Sequence, residues 1–235
     1  MKRLFAKLHL WLSLPAGILI SIICLSGAAL VFEQEITQMV RPELYQQQSP
    51  PAGEGVQAGK KQKRPSLPFF QTMRKVHRWL LDPPARKGEK SVGKVVVGVS
   101  TLVMVIILAS GLVLWWPRTR RAWKHRLTVT ADKGRRRFWY DMHVSVGFYA
   151  TLLLLLMALT GLTWSFGWYR EAAYSLLGNG PELKKLFYSL HTGSWGGLAT
   201  KTLYFIASLI GAMLPLTGYY LWWKKRKQQR LHSAK

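Results

Sequence analysis

WYDMHVSVGFYATLLLLLMALTGLTWSF, residues 139–166, is the stretch from which the architecture of this 235-residue chain can be read. His143 stands where a basic segment gives way to an apolar run, and Thr160-Gly161 lies near the run's far end. The same design occurs earlier: His9 opens LWLSLPAGILISIICLSGAALVF, residues 10–32, with Ser26-Gly27 near its end. In both copies 18 residues separate the histidine from the glycine. At about 1.5 Å per helical residue, that separation matches a hydrocarbon core about 30 Å thick, so histidine and glycine lie at opposite membrane boundaries.

Stretches free of Asp, Glu, Lys and Arg cover residues 8–32, 95–116, 144–169 and 202–223, each more than 20 residues long. Such a run crosses a bilayer as a helix, because a helix satisfies its own backbone hydrogen bonds where no water is available. Eleven Trp and a slightly positive mean hydropathy agree with this. The fold class expected is an all-α membrane protein with four transmembrane helices, arranged as two parallel-repeat helix pairs, plus short outer surface helices. The first run follows Met1-Lys2-Arg3 but is longer than a signal-peptide core, and Ile23 before Cys24 does not suit lipoprotein cleavage. It reads as a retained helix.

A net charge of +24 would suit a nucleic-acid partner, but the placement of the charge argues against one. Residues 1–8, 117–142 and 224–235 hold 18 Lys and Arg in 46 positions, whereas 33–91 and 169–199 hold 14 in 90. The denser side is expected to be cytoplasmic, which puts both termini inside a bacterial-type inner membrane. The basic runs flank spans and match no nucleic-acid-binding motif, so they read as anchors to anionic lipids. Cys24 is the single cysteine and lies within the first span, where it supplies no disulfide and no cysteine metal site.

The chain divides into a first half, 1–120, a second half, 135–228, and a basic tail, 229–235. The first half contains spans 8–32 and 92–116, with Pro15 expected to kink the former. Between them come a Gln-, Pro-, Gly- and Lys-rich linker, 46–68, and an amphipathic surface helix, 67–81, which carries His77 and ends at Asp82-Pro83-Pro84. Its apolar face is expected to include Phe69, Phe70, Met73, Val76, Leu80 and Leu81. The second half contains spans 144–168 and 202–223, joined by an outer loop in which 181–190 can form a short helix ending at His191. In each half the second span carries a hydroxyl-glycine pair before two tryptophans: Ser110-Gly111 before Trp115-Trp116, and Thr217-Gly218 before Trp222-Trp223. Both halves enter the membrane from the same side, as in parallel repeats related by an axis along the membrane normal.

Such an axis would bring His9 to His143 at the cytoplasmic end and His77 to His191 at the outer end. Two imidazoles facing each other across a gap between helices can supply both axial ligands of a haem iron. Gly17, Gly27, Gly147 and Gly161 are small enough to let helices or a porphyrin approach closely. Asp141, two residues before His143, is a lesser candidate for orienting that ring or balancing charge. A pair of histidines lacks the four ligands of structural zinc, and without a C-x-x-C-H motif any haem would be held noncovalently. His125 and His232 have no counterpart in the repeat and read as solvated loop and tail residues.

YDMHVSVGFYATLLLLLMALTGL (140–162), KVHRWLLDPP (75–84) and SGLVLWWPR (110–118) resemble the PepSY-associated transmembrane family, which includes iron-regulated membrane proteins and ferric-siderophore reductases. The resemblance covers all four spans. It implies a membrane protein holding two haem b groups through His9, His143, His77 and His191. It further implies electron flow from a cytoplasmic or membrane donor to an outer acceptor such as a ferric siderophore, hence a haem-dependent ferric reductase. Arg74, Lys75, Arg78, Lys184 and Lys185 could attract such an anionic chelate, or equally anchor surface helices to lipid headgroups. Many relatives carry folded PepSY modules in outer loops, whereas residues 33–91 here are mainly linker and surface helix, and no GxGxxG motif for flavin or nicotinamide is present. The rival expectation is a haem-free scaffold or accessory subunit for a transporter or envelope peptidase.

Overall fold

A computed structural model of the chain describes residues 1–46, 65–86, 89, 91–117, 119–178 and 180–233. Most of the linker expected at 46–68 lies outside the described residues. The helices in chain order are α1 (Lys2–Val31), α2 (Glu33–Val40), α3 (Glu43–Gln46), α4 (Pro68–Trp79), α5 (Val92–Trp115), α6 (Arg120–Leu127), α7 (Arg135–Asp141), α8 (Gly147–Ser165), α9 (Gly167–Leu177), α10 (Pro181–Thr192) and α11 (Gly197–Ser233). A π-helical turn, Met142–Val146, joins α7 to α8. No strand forms among the described residues.

α1, α5, the continuous ladder from α7 through α8, and α11 are each long and apolar enough to cross a membrane. The chain is therefore an all-α, multi-pass membrane protein. Only 33–39% of the most apolar 18-residue window of each span is buried inside the bundle, so the remaining apolar surface faces lipid. Ser91 accepts the Lys94 N–H at 3.1 Å to start α5, and Pro117 follows its end.

The spans pack in the cyclic order α1, α5, α8, α11, with α4 laid on α1 and α5 and α10 laid on α8. Ile20, Cys24, Met104, Leu108, Ala150, Leu154 and Ala212 form the core midway along the bundle. Cys24 is a packing residue there. Tyr219 of α11 donates to the Leu14 carbonyl at 2.6 Å, and the absence of a side chain at Gly17 makes room for its ring.

Several elements differ from the sequence reading. The loop expected around 120–127 is the helix α6, and the loop expected from 169 begins within the helix α9, Gly167–Leu177. The expected tail continues α11 through Ser233, because its Lys, Arg and Gln are good helix formers already nucleated by the span. On α4, Phe70 is buried but Phe69 stays out, since α4 packs on two helices along a stripe narrower than its apolar face. α4 is tied down by Glu33, which accepts from Arg74 at 2.5 Å and from Ser66 at 2.6 Å, and by Asp82, which accepts the Gly93 N–H at 2.9 Å. After α4 the chain reverses through two leucines in the left-handed region, Leu80 (φ 49°) and Leu81 (φ 69°).

Candidate metal centre

Four of the six histidines come together as two facing pairs. His9 on α1 and His143 on the π turn have ring centroids 6.3 Å apart at the end of the bundle that carries both termini. His77 on α4 and His191 on α10 are 6.1 Å apart at the far end. His125 is exposed on α6, and the His232 side chain lies outside the described residues.

Each ring is held by a hydroxyl-glycine pair on a neighbouring helix. His9 Nδ1 lies 3.1 Å from the Ile107 carbonyl and 3.0 Å from Ser110 Oγ. His77 Nδ1 lies 2.8 Å from the Ile23 carbonyl and 3.4 Å from Ser26 Oγ. His191 Nδ1 lies 2.9 Å from the Met157 carbonyl and 3.2 Å from Thr160 Oγ1. His143 Nδ1 lies 2.8 Å from Thr217 Oγ1. In the sockets of His9, His77 and His191 the carbonyl belongs to the residue three before the Ser or Thr, and in all four sockets the residue after the hydroxyl, Gly111, Gly27, Gly161 or Gly218, faces the imidazole Cε1.

The hydrogen bonds settle the tautomer. A carbonyl can only accept, so Nδ1 of His9, His77 and His191 must carry the proton. Every hydroxyl already donates its single hydrogen to its own helix: Ser110 to Ile107, Ser26 to Ile22, Thr160 to Leu156 and Thr217 to Leu214, at 2.8, 2.7, 2.6 and 2.8 Å. Each therefore accepts from Nδ1, including that of His143. In the neutral form each ring then presents Nε2 with a bare lone pair, the form in which imidazole binds a metal. At the far end, burial and then the neighbouring Arg78 push His77 below its usual pKa, while burial, His77 and Arg78 push His191 down to about 4. Both outer rings thus stay neutral at pH 7.

The spacing suits one metal ion per pair. A metal–imidazole bond of about 2.0 Å on each side, with about 1.1 Å from nitrogen to ring centre, requires centroids about 6.2 Å apart. Among the described residues no group of three or more His, Cys, Asp or Glu side chains is assembled, so a bare ion would find only two ligands in either pair. A metal whose other ligands come from a macrocycle fits this donor set. His9 and His143 also line a cavity of about 810 Å³, walled by Leu14, Ile20, Met104, Leu108, Phe148 and Leu154 among others, which has the size and apolar character for a tetrapyrrole.

The two inner rings are delivered by different backbone devices. His9 lies on a regular helix, whereas His143 lies within the π turn, a feature that often marks functional sites. Asp141 is almost fully buried and accepts from Arg137 Nε at 2.9 Å and from the Thr130 N–H at 3.2 Å, while Ser145 donates to the Thr128 carbonyl at 3.1 Å. Asp141 thus fixes the loop against the π turn rather than bonding to His143. Trp164 packs edge-on to His191 with centroids 5.1 Å apart. Gly147 faces Leu214 and Gly17 faces Tyr219, so those two glycines serve helix packing, whereas Gly27 and Gly161 serve the histidines. Of the outer cations, Arg74 is paired with Glu33 and Lys185 with Glu182.

The hydroxyl partners of the rings are what sequence reasoning missed. Their signal was the fourfold recurrence of Ser/Thr-Gly, which marks the histidine sockets and not the helix contacts alone.

The PepSY-associated TM region model matches residues 6–65, 51–185 and 170–225, which together reach all four membrane-spanning helices. The chain belongs to the PepSY-associated transmembrane family. A search of curated proteins finds no match. Within this PepSY-associated chain, all four facing histidines and all four hydroxyl-glycine sockets fall inside the matched segments.

Proposed function

We propose that the chain is a dihaem b electron-transfer protein of a bacterial-type inner membrane, with both termini cytoplasmic. It passes electrons from a cytoplasmic or membrane donor to an outer acceptor, for which ferric iron in a siderophore is the chemistry implied by the family resemblance. The observation that carries this reading is the repeated socket: four imidazoles, each with Nδ1 held by a hydroxyl-glycine pair, set in pairs at 6.3 and 6.1 Å. His9 with His143, and His77 with His191, would hold the two groups. When bound, the haems would supply one-electron exchange between ferric and ferrous iron.

The chain's own residues do the rest. Ser110, Thr217, Ser26 and Thr160 hold the ligand tautomer, and the lipid-embedded spans exclude water from the inner pair. The density of Lys and Arg on the terminus-bearing segments supports the orientation. A haem-free scaffold gives no reason for four histidines to share one socket design.

The test is to reduce the purified, haem-loaded protein anaerobically, mix it with ferric-desferrioxamine, and follow reoxidation by stopped flow with ferrous iron trapped by ferrozine. The reading expects reoxidation whose rate rises with chelate concentration, with one ferrous ion formed per haem oxidised. Reoxidation by oxygen alone would remove ferric chelates as the acceptor.

A further inference from the structure

The inner cavity is apolar in depth and basic at one edge. Arg126, Lys133, Arg136, Arg137 and Lys225 line it from the segments nearest the termini. Three of these cations are committed to protein groups. Arg126 donates to the carbonyls of Leu114 and Trp115, Arg136 to Gln228 Oε1 at 2.7 Å, and Arg137 to Asp141 Oδ2 at 2.9 Å. The cations beside Lys225 are also engaged: Lys224 and Lys227 lie over Trp223, and Arg226 lies over Trp222. Lys133 and Lys225 are exposed and have no hydrogen-bond, ion-pair or ring partner among the described residues.

Two uncommitted ammonium groups on the rim of an apolar cavity are complementary to a ligand with a flat apolar body and two acidic groups on one edge. We propose that Lys133 and Lys225 form a carboxylate clamp, which holds the two propionates of the haem seated between His9 and His143. The clamp turns the acid edge toward the terminus-bearing face and selects a dianionic cofactor over a neutral or monoacid one. This rests on the haem reading above. The competing use of the same lysines, contact with lipid phosphates at the membrane boundary, predicts no effect on cofactor binding.

The experiment compares haemin with haemin dimethyl ester, which keeps the macrocycle and iron but lacks both negative charges. The full-length chain carrying His191→Ala, so that only the inner pair can ligate twice, is titrated haem-free in detergent and followed by Soret absorbance. The clamp predicts that the diacid binds at least about tenfold more tightly than the diester, the scale of a charge-assisted hydrogen bond. Adding Lys133→Gln and Lys225→Gln should lower diacid affinity to that of the diester and leave diester affinity unchanged. Adding Lys133→Arg and Lys225→Arg instead should keep the preference. If diacid and diester bind equally before the lysines are changed, or the preference survives both glutamines, the clamp is wrong and the haem reading stands. If neither porphyrin binds this chain or the wild type, the haem reading and the clamp fall together.

Discussion

A methyl group added at each socket glycine should affect the outer and inner histidine pairs unequally. At Gly27 the new Cβ would lie 2.9 Å from His77 Cε1, and at Gly161 it would lie 3.0 Å from His191 Cε1. At Gly111 and Gly218 the corresponding distances to His9 and His143 are 3.4 and 3.6 Å. Carbon atoms pack best at about 3.5–4.0 Å, so the outer rings must each retreat by about 0.5 Å while the inner rings can stay. Retreat strains the Nδ1 bonds to Ile23 and Met157, at 2.8 and 2.9 Å, and a metal site tolerates only about 0.5 Å of ligand displacement. With overpacking worth about 1–3 kcal/mol, outer haem affinity should fall about 5- to 150-fold in Gly27→Ala and Gly161→Ala. Gly111→Ala and Gly218→Ala should keep both haems. The assay is haem loss to excess apomyoglobin, with circular dichroism confirming that each variant remains helical. Equal loss from all four variants, or greater loss from the inner pair, would refute the argument.

Other outcomes follow from the same geometry. In the haem-free protein, His191 takes up its proton near pH 4 when folded but near 6.5 when unfolded. The unfolded chain therefore binds more protons between those values, and stability is present above pH 6.5 and lost as pH falls toward 4. The thermal midpoint should drop across that window and drop less in His191→Gln. Leu81→Gly relieves a left-handed leucine that is 59% exposed, so it should raise stability by up to about 1 kcal/mol in thermal unfolding. Asp141→Ala removes the acceptor for Arg137 and for the Thr130 N–H, and should cost about 2–3 kcal/mol while releasing the inner haem faster than the outer. Gly93→Ala would drive a Cβ into the Trp79 carbonyl and displace the end of α4, so it should weaken the outer haem and spare the inner one.

Much of this arrangement was legible in the sequence. The four spans follow from charge-free runs, and both histidine pairings follow from the repeat, since a parallel arrangement sets equivalent residues face to face. The sockets were only half legible. Gly27 and Gly161 stand 18 residues from His9 and His143, which rules them out as those rings' neighbours, but nothing local reveals that they serve His77 and His191. Those contacts depend on where α4 and α10 fold back, and an amphipathic helix at an interface carries no signal for its docking partner. α6 and α9 were missed because their charged and aromatic residues lack a clean apolar stripe, and their helical state is fixed by attachment to the spans. The π turn at His143 has no sequence mark, because it comes from the Asp141 and Ser145 contacts with residues 128–130.

The central claim is that each histidine pair holds one haem. The most direct test is haem extraction and oxidised and reduced spectra of the purified wild type, of His9→Ala/His143→Ala, and of His77→Ala/His191→Ala. The account predicts low-spin b-type bands with about two haems per chain in the wild type and about one in each double variant. A wild type that stays colourless after expression with added haem, or double variants that retain the full complement, would contradict it.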